Sequence, residues 1–136
     1  MIDSLHIMKS AGLVAASSAA TVDGAAKIAD VGAGLVEGQL VIDCTAIETD
    51  TGSELYTIEL EGSSSATFAS DYDVLASCCL GATAVKPGDV LGAVGRYRVP
   101  FKNEKAGTVY PYLRVYTTCA GTIATGINYS AYLAKA

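Results

Sequence analysis

The feature that leaves this chain the fewest folds is a two-residue period in its side chains, which fills the last third and never gives way to a helical one. From Arg96 the chain reads RYRVPF, and after a short polar break TVYPYLRVYTTCAGTIATGINYSAYLAK. Successive side chains of an extended strand point to opposite faces. Along Tyr110 to Thr118 that rule sets Tyr110, Tyr112, Arg114, Tyr116 and Thr118 on one face and Pro111, Leu113, Val115, Thr117 and Cys119 on the other. The second set suits a core. The first is a ladder of tyrosines flanking an arginine, a composition enriched where proteins touch. It also fits a sandwich edge whose tyrosine hydroxyls stay in water.

The same period recurs upstream. Gln39 to Ile47 alternates Leu40, Ile42, Cys44 and Ala46 against Gln39, Val41, Asp43 and Thr45. After the turn-forming ETDTGSE, Leu55 to Glu61 sets Tyr56, Ile58 and Leu60 against Thr57, Glu59 and Glu61, and the two segments are expected to form a hairpin. Gly62 to Asp71 is a Ser-rich loop, Asp73 to Leu80 returns as a strand, and Lys86-Pro87-Gly88-Asp89 has the order of a tight turn. Tyr97, Val99 and Phe101 oppose Arg96 and Arg98, and Ile127, Tyr129, Ala131 and Leu133 oppose Asn128, Ser130 and Tyr132. Thr21 to Val31 is a broken extended segment, and the serines and Gly12 within Leu5 to Ala20 disfavour a helix there. About seven or eight strands with turns every 8 to 15 residues or so predict an all-β fold, a β-sandwich or jelly roll rather than a meander alone.

Composition then limits the company such a sandwich keeps. At 136 residues the chain is one domain with a core that needs no staple, a sandwich over residues 19–136 preceded by an N-terminal arm over 1–18. The arm carries Lys9 as its only base, so it lacks the basic start of an export signal and is expected to dock on a neighbour or on the domain's own sheet, a cleaved export signal being the alternative. Hydrophobic residues make up 51% of the chain, yet no uninterrupted apolar run reaches the roughly 18 residues of a membrane span. Only 17% of residues are charged, a sparse surface for a free monomer, which favours a homo-oligomer, a dimer first. A net charge of −5 leaves neither a nucleic-acid footprint nor a patch for anionic membranes. Cys44, Cys78, Cys79 and Cys119 contain no CxxC pair, and their places in the alternation fit buried thiols better than two disulfides.

The search for chemistry returns little. His6 is the only histidine and lies in the N-terminal arm, where a lone histidine is more often a surface residue than a base, so a Ser-His-Asp or Cys-His site has no credible member. GAGLVEG at Gly32 to Gly38 lacks both the GxGxxG spacing and the lysine of a phosphate loop. Glu48, Asp50, Glu54, Glu59 and Glu61 cluster in sequence and could ligate calcium, but a solvated acidic face is the simpler reading. With no Trp there is little to line a sugar cleft. No catalytic residue, cofactor or metal is expected. The candidate protein-contact residues are Arg96, Arg98, Tyr110, Tyr112, Arg114 and Tyr116.

As a whole the chain resembles the cement, or decoration, proteins of tailed double-stranded-DNA bacteriophages, the family typified by the Bordetella podophage cement protein. The resemblance is carried by Asp3 and the Leu/Ile-rich arm running into AASSAAT, GQLVID from Gly38, SSSATFASDYDVLAS from Ser63, RYRVPF, and YPYLRVYTTCAGTIATGINYSAYLA at the end. It implies a non-enzymatic jelly roll, made in the host cytoplasm, that binds the outer surface of an icosahedral shell of HK97-type major capsid protein and strengthens it in the virion. It supplies no residue-level site, and four cysteines exceed what such a protein requires. The other reading is a host-surface or carbohydrate-binding sandwich module of a virion or secreted protein, with Tyr110, Tyr112 and Tyr116 as its stacking residues.

Overall fold

The computed structural model describes residues 7–69, 71–82 and 94–135, and among them every regular element is a strand. Short strands come first: β1 (Ile7–Lys9), β2 (Leu13–Val14), β3 (Ser18–Ala19), β4 (Thr21–Val22), β5 (Ala25–Ala26) and β6 (Ala29–Asp30). Long ones follow as β7 (Glu37–Ile47), β8 (Leu55–Ser63), β9 (Tyr72–Gly81) and β10 (Gly95–Lys102). A small ribbon of β11 (Glu104–Lys105) and β12 (Thr108–Val109) precedes β13 (Tyr112–Ala120) and β14 (Ile127–Lys135).

Ten of these strands form two antiparallel sheets that share one core. Sheet A runs β1-β14-β7-β10, with β2 also on β14, and sheet B runs β3-β13-β8-β9, with β6 also on β13. The pairs nest: β1 with β14, β3 with β13, β7 with β10, β8 with β9. A long antiparallel ribbon doubled at the β8–β9 loop, then rolled so that successive segments fall into alternate sheets, gives this order. Consequently β7 and β8 are not the hairpin expected from their turn. Each pairs within its own sheet, and the 48–54 link carries the chain across the sandwich. The count of seven or eight strands is likewise exceeded, because the Ala/Ser/Gly tract contributes short edge strands that its weak pattern concealed.

Alternation decides what is buried. Leu40 and Ile42 of β7 and Ile127, Tyr129 and Leu133 of β14 meet Tyr56, Ile58 and Leu60 of β8 and Leu113 and Val115 of β13. Burying each large side chain stabilises the fold by about 1.5–3 kcal/mol. Thr117 of sheet B and Tyr129 of sheet A share a 2.6 Å hydroxyl hydrogen bond across this core, so the layers are tied by a polar link inside apolar surroundings. Three register shifts interrupt the pairing, the first in β1, where Met8 lies between Ile7, the partner of Tyr132, and Lys9, the partner of Ala131. Asn128 faces Ala46 and Tyr129 faces Cys44, leaving Thr45 extra and turning Ala46 outward instead of into the core. On β9 the extra residue is Leu75. The four cysteines are free thiols, and burial raises the pKa of Cys78 to about 11.

The described part of the N-terminal arm docks on the domain's own sheets, extending sheet A through β1 and β2 and sheet B through β3. Lys9 holds the turn in place. Only 5% exposed, it donates from Nζ to the carbonyls of Tyr129 (2.7 Å), Ser10 (3.0 Å) and Gly12 (3.1 Å), and it lies 4.4 Å from the Tyr129 ring centre. Burial lowers its pKa, and the three carbonyls and the ring face replace the water it has lost. Gly126 (φ 97°) backs directly onto the Val14 carbonyl, so any Cβ there would collide where β14 begins beside β2. His6, the residues before it and the Lys86–Asp89 turn lie outside the described residues.

Candidate protein-contact faces

Both inner faces are consumed by the core, so what the chain offers a partner lies on the two outer faces, which point in opposite directions. Directly paired residues share a face, and the strand register therefore lists each outer row. On sheet B, Tyr112 stands between Asp30 and Ser63, Arg114 stands opposite Glu61, and Tyr116 stands between Ala19 and Glu59. On sheet A, Arg96 stands opposite Asp43, and Arg98 begins a row that continues through Val41 and Tyr132 to Ile7.

Arg114 is the centre of the sheet B face. Its Nε donates to Glu61 Oε1 at 2.8 Å, with Glu61 nearly sealed from solvent (side chain 4% exposed) and Arg114 largely so (22%). The seal is aromatic: the guanidinium carbon lies 4.4 Å from the ring centre of Phe68, 5.4 Å from that of Tyr116 and 5.9 Å from that of Tyr72. Phe68 comes from the Ser-rich loop, which folds back over the sheet. Ser63 Oγ donates to the Asp71 carbonyl (2.9 Å) and accepts from Ser65 N (3.0 Å), and Ser65 Oγ accepts from the amides of Thr67 and Ala69. These bonds hold Phe68 at φ 53°, a left-handed conformation that is costly for a bulky side chain. The loop spends that strain on placing one ring over the Arg114–Glu61 pair. Beside it, Tyr72 is 55% exposed, and the half-buried Glu59 has no ion pair or hydrogen bond among the described residues. Burial, and then the charge of Glu61, raise the pKa of Glu59.

The sheet A face is built differently. Arg96 grips Asp43 through two hydrogen bonds (Nε–Oδ1 2.6 Å, Nη2–Oδ2 3.2 Å), which together raise its pKa, and Lys102 pairs with Glu104 at 3.3 Å. Arg98 and Glu37, both exposed, have no partner among the described residues. Between them stand Pro100, Gln39 and Ala134, and Val41 is fully buried in the middle of the Arg98 row.

The six residues singled out from the sequence therefore form no single patch. Arg96 and Arg98 lie on the sheet A face, while Tyr112, Arg114 and Tyr116 lie on the sheet B face. Tyr110 belongs to neither: β13 begins at Tyr112, and the Tyr110–Pro111 step breaks the expected ladder. Tyr110 is 7% exposed and packs beneath Gly62, where an added Cβ would come within 2.9 Å of the Tyr110 Cβ; its hydroxyl donates to Asp73 at 3.1 Å. It is fixed there by the buried Asn103, whose Nδ2 donates to the carbonyls of Tyr110 and Gly34 while its Oδ1 accepts from Val36 N. Phe68, Tyr72 and the pairing of Glu61 with Arg114 escaped sequence reasoning. A loop has no period, and no local signal reports which strands become neighbours.

The acidic cluster read along the chain also disperses. Glu48 accepts from the amides of Gly126, Thr125 and Ala124, which lower its pKa and pin the 121–126 loop. Glu54 is buried; burial pushes its pKa up, but donors led by the Thr51 amide outweigh that and leave it lowered. Glu59 and Glu61 face outward on β8. Among the described residues no three His, Cys, Asp or Glu side chains are grouped as a metal would require. No family model matches the chain, and no curated protein matches it.

Proposed function

We propose that this protein is a capsid decoration protein: a non-enzymatic clamp that binds the outside of an HK97-type icosahedral shell and stabilises it. The observation that carries this reading is the sheet B face, where three aromatic rings, Phe68, Tyr72 and Tyr116, surround an ion-paired arginine. Aromatic anchors framed by amphipathic area are a usual centre of a protein–protein contact. The nested strand pairing supports the jelly-roll form of the reading, and the sequence resemblance supports its phage setting.

A shell repeats one weak site many times, so an oligomer that touches several subunits converts modest contacts into firm attachment. The two faces suggest how the labour is divided. Sheet A carries unpaired charges of both signs, Arg98 and Glu37, which a two-fold axis can bring together, whereas two copies of the acidic sheet B face would repel. A dimer through sheet A leaves sheet B free for the capsid. Light scattering at micromolar concentration should give a dimer, and the protein should co-sediment with expanded shells while ignoring free capsid subunit. Equal binding to subunit and shell would remove the lattice mechanism.

A further inference from the structure

We propose that the partner of the sheet B face presents a basic side chain, an arginine or lysine on a protein loop, which seats on Glu59 beside the Tyr116 ring. For the identity of the partner this rests on the attachment reading above; for the chemistry of the site it does not.

Charge is the first ground. The outer rows of sheet B carry Asp30, Glu59 and Glu61 against the single cation Arg114, and Lys105 at the β9 edge is already paired with Asp73 at 3.2 Å. Arg114 already spends its Nε–H on the buried Glu61, and its guanidinium, 22% exposed with the Phe68 ring 4.4 Å away, has little surface left for an acidic partner. The arginine at the centre of this face is thus a structural cation, and the surface around it attracts cations. The second ground is the state of Glu59. It sits mid-strand between Tyr116 and Ser77, half removed from water, with no donor of its own among the described residues. A carboxylate in that position is better satisfied by a group arriving from outside than by solvent. The third ground is the ring beside it. Tyr116 stands directly opposite Glu59 on β13, and a guanidinium or ammonium bound there gains both a carboxylate and an aromatic surface. An arginine presented to this face also finds Tyr72 exposed at the far edge of the same sheet.

The test uses the full chain and two short probes, tetra-arginine and tetra-glutamate peptides, with amide chemical shifts as the residue-resolved readout. Tetra-arginine should shift Glu59, Tyr116 and Ser77 saturably, and Glu59→Gln should weaken that response about tenfold or more while the rest of the spectrum stays native. Tetra-glutamate should leave these amides unmoved. Shifts centred on this face with tetra-glutamate, or a tetra-arginine response that survives Glu59→Gln, would overturn the proposal. Co-sedimentation separates the two readings: wild type that ignores shells yet binds tetra-arginine at Glu59 defeats the attachment reading and leaves the basic-partner site standing.

Discussion

The two outer faces of this sandwich each carry an arginine paired with a carboxylate on the neighbouring strand, yet the pairs are built for different ends. On sheet A, Arg96 and Asp43 meet in the open, with side chains 51% and 29% exposed. On sheet B, Arg114 and Glu61 meet under three rings, one of which, Phe68, is supplied by a loop held in strain. An exposed pair is worth little because water and salt screen it and both side chains lose freedom in making it. A covered pair is costly to break, since removing one partner strands a charge that water cannot reach. The lesson is that an outward-facing arginine is not thereby available to a partner. On sheet B the available groups are the rings and Glu59 around it.

The comparison breaks most visibly in stability. Arg114→Ala is expected to cost about 3–5 kcal/mol in chemical denaturation, most of it the desolvated Glu61, so this substitution reports on folding before it reports on binding. Phe68→Ala is expected to cost about 1 kcal/mol through loss of the stacked ring, the Cβ strain at the positive φ being unchanged. Arg96→Ala should cost the least of the three, and still less in high salt. If Arg96→Ala and Arg114→Ala destabilised equally, the distinction between the faces would fail.

Acid should sharpen the same distinction through its sign. Glu48, Asp73 and Glu104 have pKa values held below their ordinary ones, by the Gly126 amide, by Lys105 and by the Gly107 amide respectively. The stability they supply is present above the unfolded carboxylate value, 4.5 for Glu and 3.8 for Asp, and is lost as pH falls through their folded values. Glu59 runs the other way. Its raised folded pKa means that its penalty is absent below 4.5 and appears as pH rises through the folded value. Glu59→Gln should therefore stabilise the protein slightly at pH 7, by less than about 1 kcal/mol, and lose that advantage at pH 4. A thermal melt of both proteins at the two pH values checks it.

Much of this was legible along the chain because burial and alternation are local. Leu40 and Ile42, Tyr56 to Leu60, and Ile127 to Leu133 fall inward as their period requires. What stayed hidden is long-range. Nothing in ETDTGSE distinguishes a hairpin turn from a link between layers, and nothing near Arg114 announces Glu61, 53 residues away. Tyr110 falls off the expected ladder because Pro111 interrupts the extended run and the strand begins only at Tyr112. Phe68 was invisible because its position depends on a serine ladder and a positive φ.

The most direct test of the claim that sheet B, and not sheet A, meets the partner is co-sedimentation of Tyr72→Ala and Arg98→Ala with expanded empty shells of the cognate major capsid protein. Both side chains are exposed, so neither change should disturb the fold. The expected result is occupancy lowered about tenfold for Tyr72→Ala and kept near wild type by Arg98→Ala at protein concentrations where the dimer persists. Normal occupancy for Tyr72→Ala together with loss for Arg98→Ala would contradict it and assign the partner to sheet A.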